Sequence, residues 1–171
     1  MSTIATLSSE PSFIETDGTD LYVSLNHKIV KVTLAGVETL IAGGETSGSS
    51  DGNGSSASFH QPKGMLYLNN KLYVADYANM KVRVIDLASN EVTTFLSSAS
   101  FPNDITTDGT YMYLTSYNLV RKILLSDSSQ VSLIGLGSGY VDGDATTARF
   151  NMPSGIKYYN GNVYIFSSHA F

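Results

Sequence analysis

A tyrosine set in a short apolar strand recurs four times along this chain, and no other feature limits its fold so tightly. The segments are Leu21-Tyr22-Val23, Leu72-Tyr73-Val74, Met112-Tyr113-Leu114 and Val163-Tyr164-Ile165. Their tyrosines lie 51, 40 and 51 residues apart, so two unequal repeats add up to a period of 91. Four or five residues before each tyrosine stands a tight-turn pair: Asp17-Gly18, Asn69-Asn70, Asp108-Gly109 and Asn160-Gly161. Such pairs tolerate positive φ at little cost and so close two-residue hairpins. Each repeat therefore contains an antiparallel hairpin.

Beyond the tyrosine strand, alternating runs at 28–34, 81–87 and 120–125 read as a third strand, and 37–42, 91–96 and 130–136 suit a fourth. Four short antiparallel strands in a unit of about 40 residues make one propeller blade. The expected fold class is all-β: a β-propeller of four-stranded antiparallel blades, about 3.5 to 4 per chain. The expected divisions are a leading outer strand at 1–8, blade 1 at 12–43, blade 2 at 44–97, blade 3 at 98–136 and an incomplete blade 4 at 137–171. The even repeats owe their extra length to Gly/Ser/Thr/Asp-rich insertions, Ser47 to Gln61 and Gly137 to Met152. These insertions are themselves duplicated, since Asp51-Gly52, Phe59 and Pro62 return as Asp142-Gly143, Phe150 and Pro153 at a separation of 91.

These residues resemble the bacterial NHL-repeat β-propellers. The second repeat carries the pattern most fully, through Asp51-Gly52-Asn53-Gly54, Ala57-Ser58-Phe59, Pro62-Lys63-Gly64-Met65, Leu72-Tyr73-Val74-Ala75-Asp76, Asn79 and Val82-Arg83-Val84-Ile85. The fourth matches from Asp142-Gly143-Asp144 to Val163-Tyr164, while the first and third keep Thr16-Asp17-Gly18-Thr19 and Thr107-Asp108-Gly109-Thr110. The resemblance implies a fold, not an activity. Family members of this type have five or six blades or more. A chain with fewer than four is expected either to be a piece of a longer propeller or to assemble.

Charge narrows the choice of partner. Ten basic and fifteen acidic residues give a net charge of −5, and only 15% of residues are charged, against about 25% usually. Nucleic acid is not an expected partner, because its phosphates need a clustered basic surface. No apolar run approaches the roughly 18 residues of a membrane span, and the first residues lack a basic n-region and an apolar h-region. The chain is read as soluble, with no membrane partner and no signal peptide. There is no cysteine among its 171 residues, so disulfides play no part.

The candidate binding residues are carboxylates and amides. Asp51 and Asn53, and likewise Asp142 and Asp144, place oxygen side chains at alternate positions as a calcium loop begins, but position twelve is Pro62 or Pro153 where that loop needs glutamate. Asx-turns that shape a surface loop account for the same pattern. Asn103-Asp104 follows Pro102 where Pro62 and Pro153 are followed by Gly64 and Gly155. A carboxylate at this crowded inner-strand start either faces a ligand or metal in the channel or bonds to neighbouring amides. His27, His60 and His169 fall at non-equivalent points, so no metal ligand set and no cofactor is expected. Arg83 and Arg121, matched on third strands, read as outer-strand residues that serve solubility or edge protection. Tyrosine together with Ser, Asn and Gly composes adaptable binding surfaces.

The leading functional expectation is a non-catalytic binding or scaffold module that recognises protein or glycan through loops on one face, chiefly the two insertions. Two alternatives stay open at this level: a propeller lyase or lactonase-like hydrolase with a channel metal, and a piece of a longer or engineered propeller with no independent function. Self-association as a two-fold homodimer of about eight blades is expected. In that dimer Ile4 to Leu7 of each chain would complete the other's last blade by strand exchange.

Overall fold

The computed structural model describes residues 5–135 and 137–167, and their regular structure is β-strand apart from two short 3-10 turns. The first sheet runs in order through β1 (Pro11–Thr16), β2 (Leu21–Leu25), β3 (Lys28–Val32) and β4 (Glu38–Gly43). In the second, β6 (Pro62–Leu68), β7 (Lys71–Asp76), β8 (Lys81–Asp86) and β9 (Glu91–Leu96) are joined at the outer edge by the two-residue β5 (Gly52–Asn53). The third holds β10 (Pro102–Thr107), β11 (Tyr111–Ser116), β12 (Leu119–Leu124) and β13 (Gln130–Ile134). A hairpin of β14 (Gly155–Tyr159) and β15 (Asn162–Phe166) forms the fourth. Every pairing between these strands is antiparallel, as the repeat arithmetic requires, and the architecture is a β-propeller.

The turn pairs act as their chemistry dictates. Asn69 and Asn70 both take φ near +55°, at 51° and 59°, and Asn160-Gly161 repeats this at 47° and 81°. In the two Asp-Gly turns one carboxylate organises the corner. Asp17 Oδ1 accepts from the backbone N–H groups of Thr19 and Asp20, and its Oδ2 accepts from the Tyr22 hydroxyl at 2.9 Å. Asp108 repeats this with Thr110, Tyr111 and the Tyr113 hydroxyl at 2.8 Å. Burial first, and then the bonded carboxylate, push the Tyr113 phenol up to about 12 and move Tyr22 in the same direction. A raised phenol pKa stabilises the fold fully below the ordinary tyrosine value of about 10. That contribution is lost as pH climbs from there through about 12. In an alkaline absorbance titration, Tyr22 and Tyr113, with Tyr73, whose phenol burial also raises, should ionise last, and Asp108→Ala should move Tyr113 to lower pH. Titration of all tyrosines together would contradict this.

Successive blades stack face to face, each with its trailing face on the leading face of the next. Between blades 1 and 2, Tyr22, Ile29 and Ile41 pack with Met65, Leu72, Val74, Ile85 and the insertion's Phe59. Between blades 2 and 3, Tyr73, Ala75 and Val82 meet Ile105, Met112, Leu114 and Ile123. Tyr113 and Val120 meet Ile156 at the third junction. Tyr22, Tyr73 and Tyr113 thus each anchor their blade to the following one. Tyr22 stacks on Tyr67 at the first junction and Tyr113 on Tyr158 at the third, with ring centroids 6.4 and 6.2 Å apart. These two pairs are themselves 91 residues apart.

The leading segment differs from its sequence reading. Ile4 lies outside the described residues, and residues 5–7 form no strand. Ala5 and Leu7 instead pack on the leading face of their own blade 1, against Val23, Leu25, Val30 and Val32. Ser8 anchors the segment by donating from both its N–H and its hydroxyl to the Glu38 carboxylate. No helix among the described residues is long and apolar enough to cross a membrane.

Candidate functional site

All four prolines in the chain, Pro11, Pro62, Pro102 and Pro153, stand where an inner strand begins. Proline biases its predecessor toward extended backbone. Yet Gln61, Phe101 and Met152, directly before three of them, are left-handed at φ 53°, 56° and 47°. Each blade start thereby presents a side chain on the face that carries the β2–β3, β7–β8 and β11–β12 turns. Left-handed backbone in a bulky residue persists only where its surroundings enforce it, and such positions gather at functional sites.

At Phe101 the enforcing groups are visible. The Ser116 hydroxyl donates to the carbonyls of Ala99 and Ser100, and Arg121 donates to the Ser98 carbonyl, the Ser100 hydroxyl, the Ser116 hydroxyl and Gln130. Arg121 is thus an internal clamp on the blade 2–blade 3 connection, not an outer-edge charge. Desolvation pulls its pKa down. So held, Phe101 lies between Tyr77 and Tyr117, with ring centroids 5.5 and 6.4 Å away. Tyr117 is itself left-handed at φ 54°, and both it and Phe101 are exposed. The Lys63 ammonium sits 3.5 Å from the centre of the Tyr77 ring, and desolvation lowers its pKa. These side chains, with Asn103, Met152, Pro153 and Ser154, line a groove of about 240 Å³. Nearby on the same face, His27 and His60 meet edge to face at 5.5 Å, although their sequence positions gave no sign of convergence. His169 lies outside the described residues.

Asn103 lines this groove and donates to the Pro153 carbonyl at 3.3 Å. Asp104 is turned to a different use. Its Oδ1 accepts from the Ile105 N–H at 2.8 Å and its Oδ2 from the Ile156 N–H at 2.9 Å, so the carboxylate ties blade 3 to blade 4. Burial raises its pKa against the pull of these two amides. Of the two roles weighed for this carboxylate, a channel ligand or neighbouring amides, both oxygens are engaged in the second.

Asp51 and Asn53 fasten the first insertion to blade 2. Fully buried Arg83 donates to Asp51 at 2.6 Å, to buried Asp76 at 3.0 Å, and to the carbonyls of Ser50 and Ser58, with the Phe59 ring 5.2 Å from the guanidinium carbon. Asp51 also accepts from the N–H and hydroxyl of Thr94, while Asn53 donates to the Ser89 carbonyl. Burial opposes ionisation of Asp51, but Arg83 and Thr94 outweigh it and its pKa falls. Arg83 is thus an interior clamp and not a surface residue, whereas the clamp made by Arg121 is half-buried. The 91-residue counterparts are more open. Exposed Asp142 lies at a cleft of about 1080 Å³ beside β15, where blade 2 has its Arg83 strand, and Asp144 caps a turn by accepting from Thr146 and Thr147. Among the described residues, no three His, Asp or Glu side chains converge as a metal site.

No family model matches the chain. Over 69 residues it is 44% identical to the NHL repeat-containing protein 2 of Gallus gallus and 38% identical to that of Homo sapiens. The match takes in 40% of this chain and 10% of either relative, so the chain spans only a small part of their length. Among solved structures, a protein of unknown function from Bacteroides thetaiotaomicron superimposes with a TM-score of 0.73 at 21% identity, over 96% of this chain and 47% of that one. The computationally designed Ika4 protein gives 0.60 at 8% identity over 98% of both chains. A virginiamycin B lyase from Staphylococcus aureus gives 0.61 at 17% identity, over 95% of this chain and 50% of its own. At such identities the likeness is one of fold.

Proposed function

We propose that this run of NHL repeats, folded as part of a β-propeller, is a non-catalytic binding module whose ligand is a glycan held on the aromatic groove around Phe101. One observation carries the reading: Phe101 and Tyr117 are both exposed, both held in left-handed backbone, and share a groove with polar Asn103 and Lys63. A pyranose offers an apolar C–H face to such rings and hydroxyls to an amide and an ammonium, and tyrosine suits both demands. The groove is smaller than the roughly 300–1,000 Å³ of an enclosed small-molecule site, which suits one unit of an extended ligand. The first insertion, one of the two loops expected to form the recognition face, is committed to blade 2 through Arg83.

Spending Asp104 on two amides favours binding over channel chemistry, and the lyase likeness carries no residue to this site. The test is a panel of neutral and acidic oligosaccharides, first immobilised and then titrated calorimetrically. Binding is expected, with Phe101→Ala and Tyr117→Ala each weakening it tenfold or more while the melting temperature stays within a few degrees. That factor corresponds to about 1.4 kcal/mol. If no oligosaccharide binds, or if both variants bind as the parent does, the reading is wrong.

A further inference from the structure

We infer that a second copy of this chain docks blade 4 on blade 1, and that the two copies form a closed ring by repeating a junction each already contains. The argument rests on the 91-residue duplication and stands apart from the glycan reading. The trailing face of blade 2 meets blade 3 through Leu66, Leu68, Tyr73 and Ala75. Their counterparts on the trailing face of blade 4 are Lys157, Tyr159, Tyr164 and Phe166. Tyr73 is 9% exposed, whereas Tyr164 is 56% and Phe166 is 72% exposed.

The receiving face shows the complementary deficit. Blade 3 offers Ile105, Met112, Leu114 and Ile123 to blade 2, with Leu125 at the margin. Blade 1 carries Ile14, Leu21, Val23, Val32 and Leu34 at those positions. Ile105 is 4% exposed but Ile14 is 57%, and Leu34 is exposed as well. The exposed faces of blades 1 and 4 are therefore the two halves of one kind of junction. The leading segment points the same way: Ala5 is the counterpart of Leu96, which packs on blade 3 from the last strand of blade 2. Ala5 already lies on blade 1 as a neighbouring blade's outer strand would.

Apolar area on this scale is seldom left in water by a monomer. Three aromatic side chains of about 150–250 Å² each, more than half exposed, with Ile14 and Leu34 opposite, offer several hundred Å² per junction. Two junctions bring the total to roughly 1,000 Å² or more, the size at which specific association begins. Because each junction joins unlike surfaces, closure needs both ends of both copies.

Sedimentation and light scattering at about 100 µM, far above a micromolar dissociation constant, should give twice the 18.3 kDa of one chain. Ile14→Asp and Tyr164→Asp alter exposed side chains, so each variant should keep its β spectrum and melting temperature yet dimerise at least tenfold more weakly. Mixing the two variants should restore association, since one of the two junctions is then unaltered on both sides. A monomer at that concentration, a ladder of larger sizes, or a mixture no tighter than either variant alone would each overturn the inference.

Discussion

Arg83→Met should cost about 3–5 kcal/mol of folding stability, the largest loss expected from any single side chain. The guanidinium is fully buried, and its removal strands the Asp76 carboxylate with no cation while the carbonyls of Ser50 and Ser58 lose their donors. Asp76 is also held by the His60 N–H and by Asn79, so its charge cannot leave without disturbing two loops. Burial already raises its pKa in the presence of those donors. Urea unfolding followed by circular dichroism should therefore show a midpoint far below that of the parent chain. Arg83→Met combined with Asp76→Leu should lose less than Arg83→Met alone, because no uncompensated charge is then buried. A loss under about 1 kcal/mol for the single variant, the scale of an exposed ion pair, would mean the clamp contributes little.

The same arginine shows where sequence reading stops. Hairpin turns, strand order and the 91-residue duplication are local or periodic, and Asp17-Gly18 or Asn69-Asn70 announces its corner without knowledge of the rest of the fold. The burial of Arg83 depends on Asp51, 32 positions away, being folded back over it by the insertion. No spacing reports that. Asp76 held a clue, since its counterparts Leu25, Ser116 and Ser167 are uncharged. Only in blade 2 can the third-strand arginine find a buried anion. Arg121 sits opposite Leu114 as Arg83 sits opposite Val74, and it turns to the Ser98 carbonyl and to neutral side-chain oxygens instead.

The aromatic groove was legible in part. Tyrosine enrichment pointed to contact residues, but strand propensity enriches tyrosine too, and the structure divides the set between these uses. Tyr22, Tyr73 and Tyr113 are junction anchors, while Tyr77 and Tyr117 line the groove with Phe101. The four prolines mark equivalent blade starts, and the residue before three of them, Gln61, Phe101 and Met152, is a repeated left-handed position. Asn103 and Asp104 stand together at a crowded inner-strand start. Which of them would face the groove depends on Ile156 arriving from the next blade with an N–H to donate.

Crowding at that point also sets the second large effect: Gly64→Ala should destabilise the chain by about 2–4 kcal/mol, at or beyond the usual range for overpacking. A Cβ placed there would stand 2.5 Å from Asp104 Oδ1, 2.6 Å from Asp104 Cα and 2.7 Å from the Asn103 carbonyl oxygen. Two of those atoms are backbone and cannot rotate away. The third belongs to a carboxylate held by two amides, so relief would have to come from moving β6 and β10 apart. That movement would disturb the Asp104 bond to Ile156 and the seating of Phe101 along with the glycine's own strand. Gly18, with nothing within 4 Å of its Cβ position, is a control for space but not for backbone, since its φ is +92°. Its alanine variant should lose only about 1 kcal/mol, from left-handed strain. Thermal unfolding of the two variants should place Gly64→Ala well below Gly18→Ala. If the order is reversed, inner-strand contact at the axis is looser than these distances require.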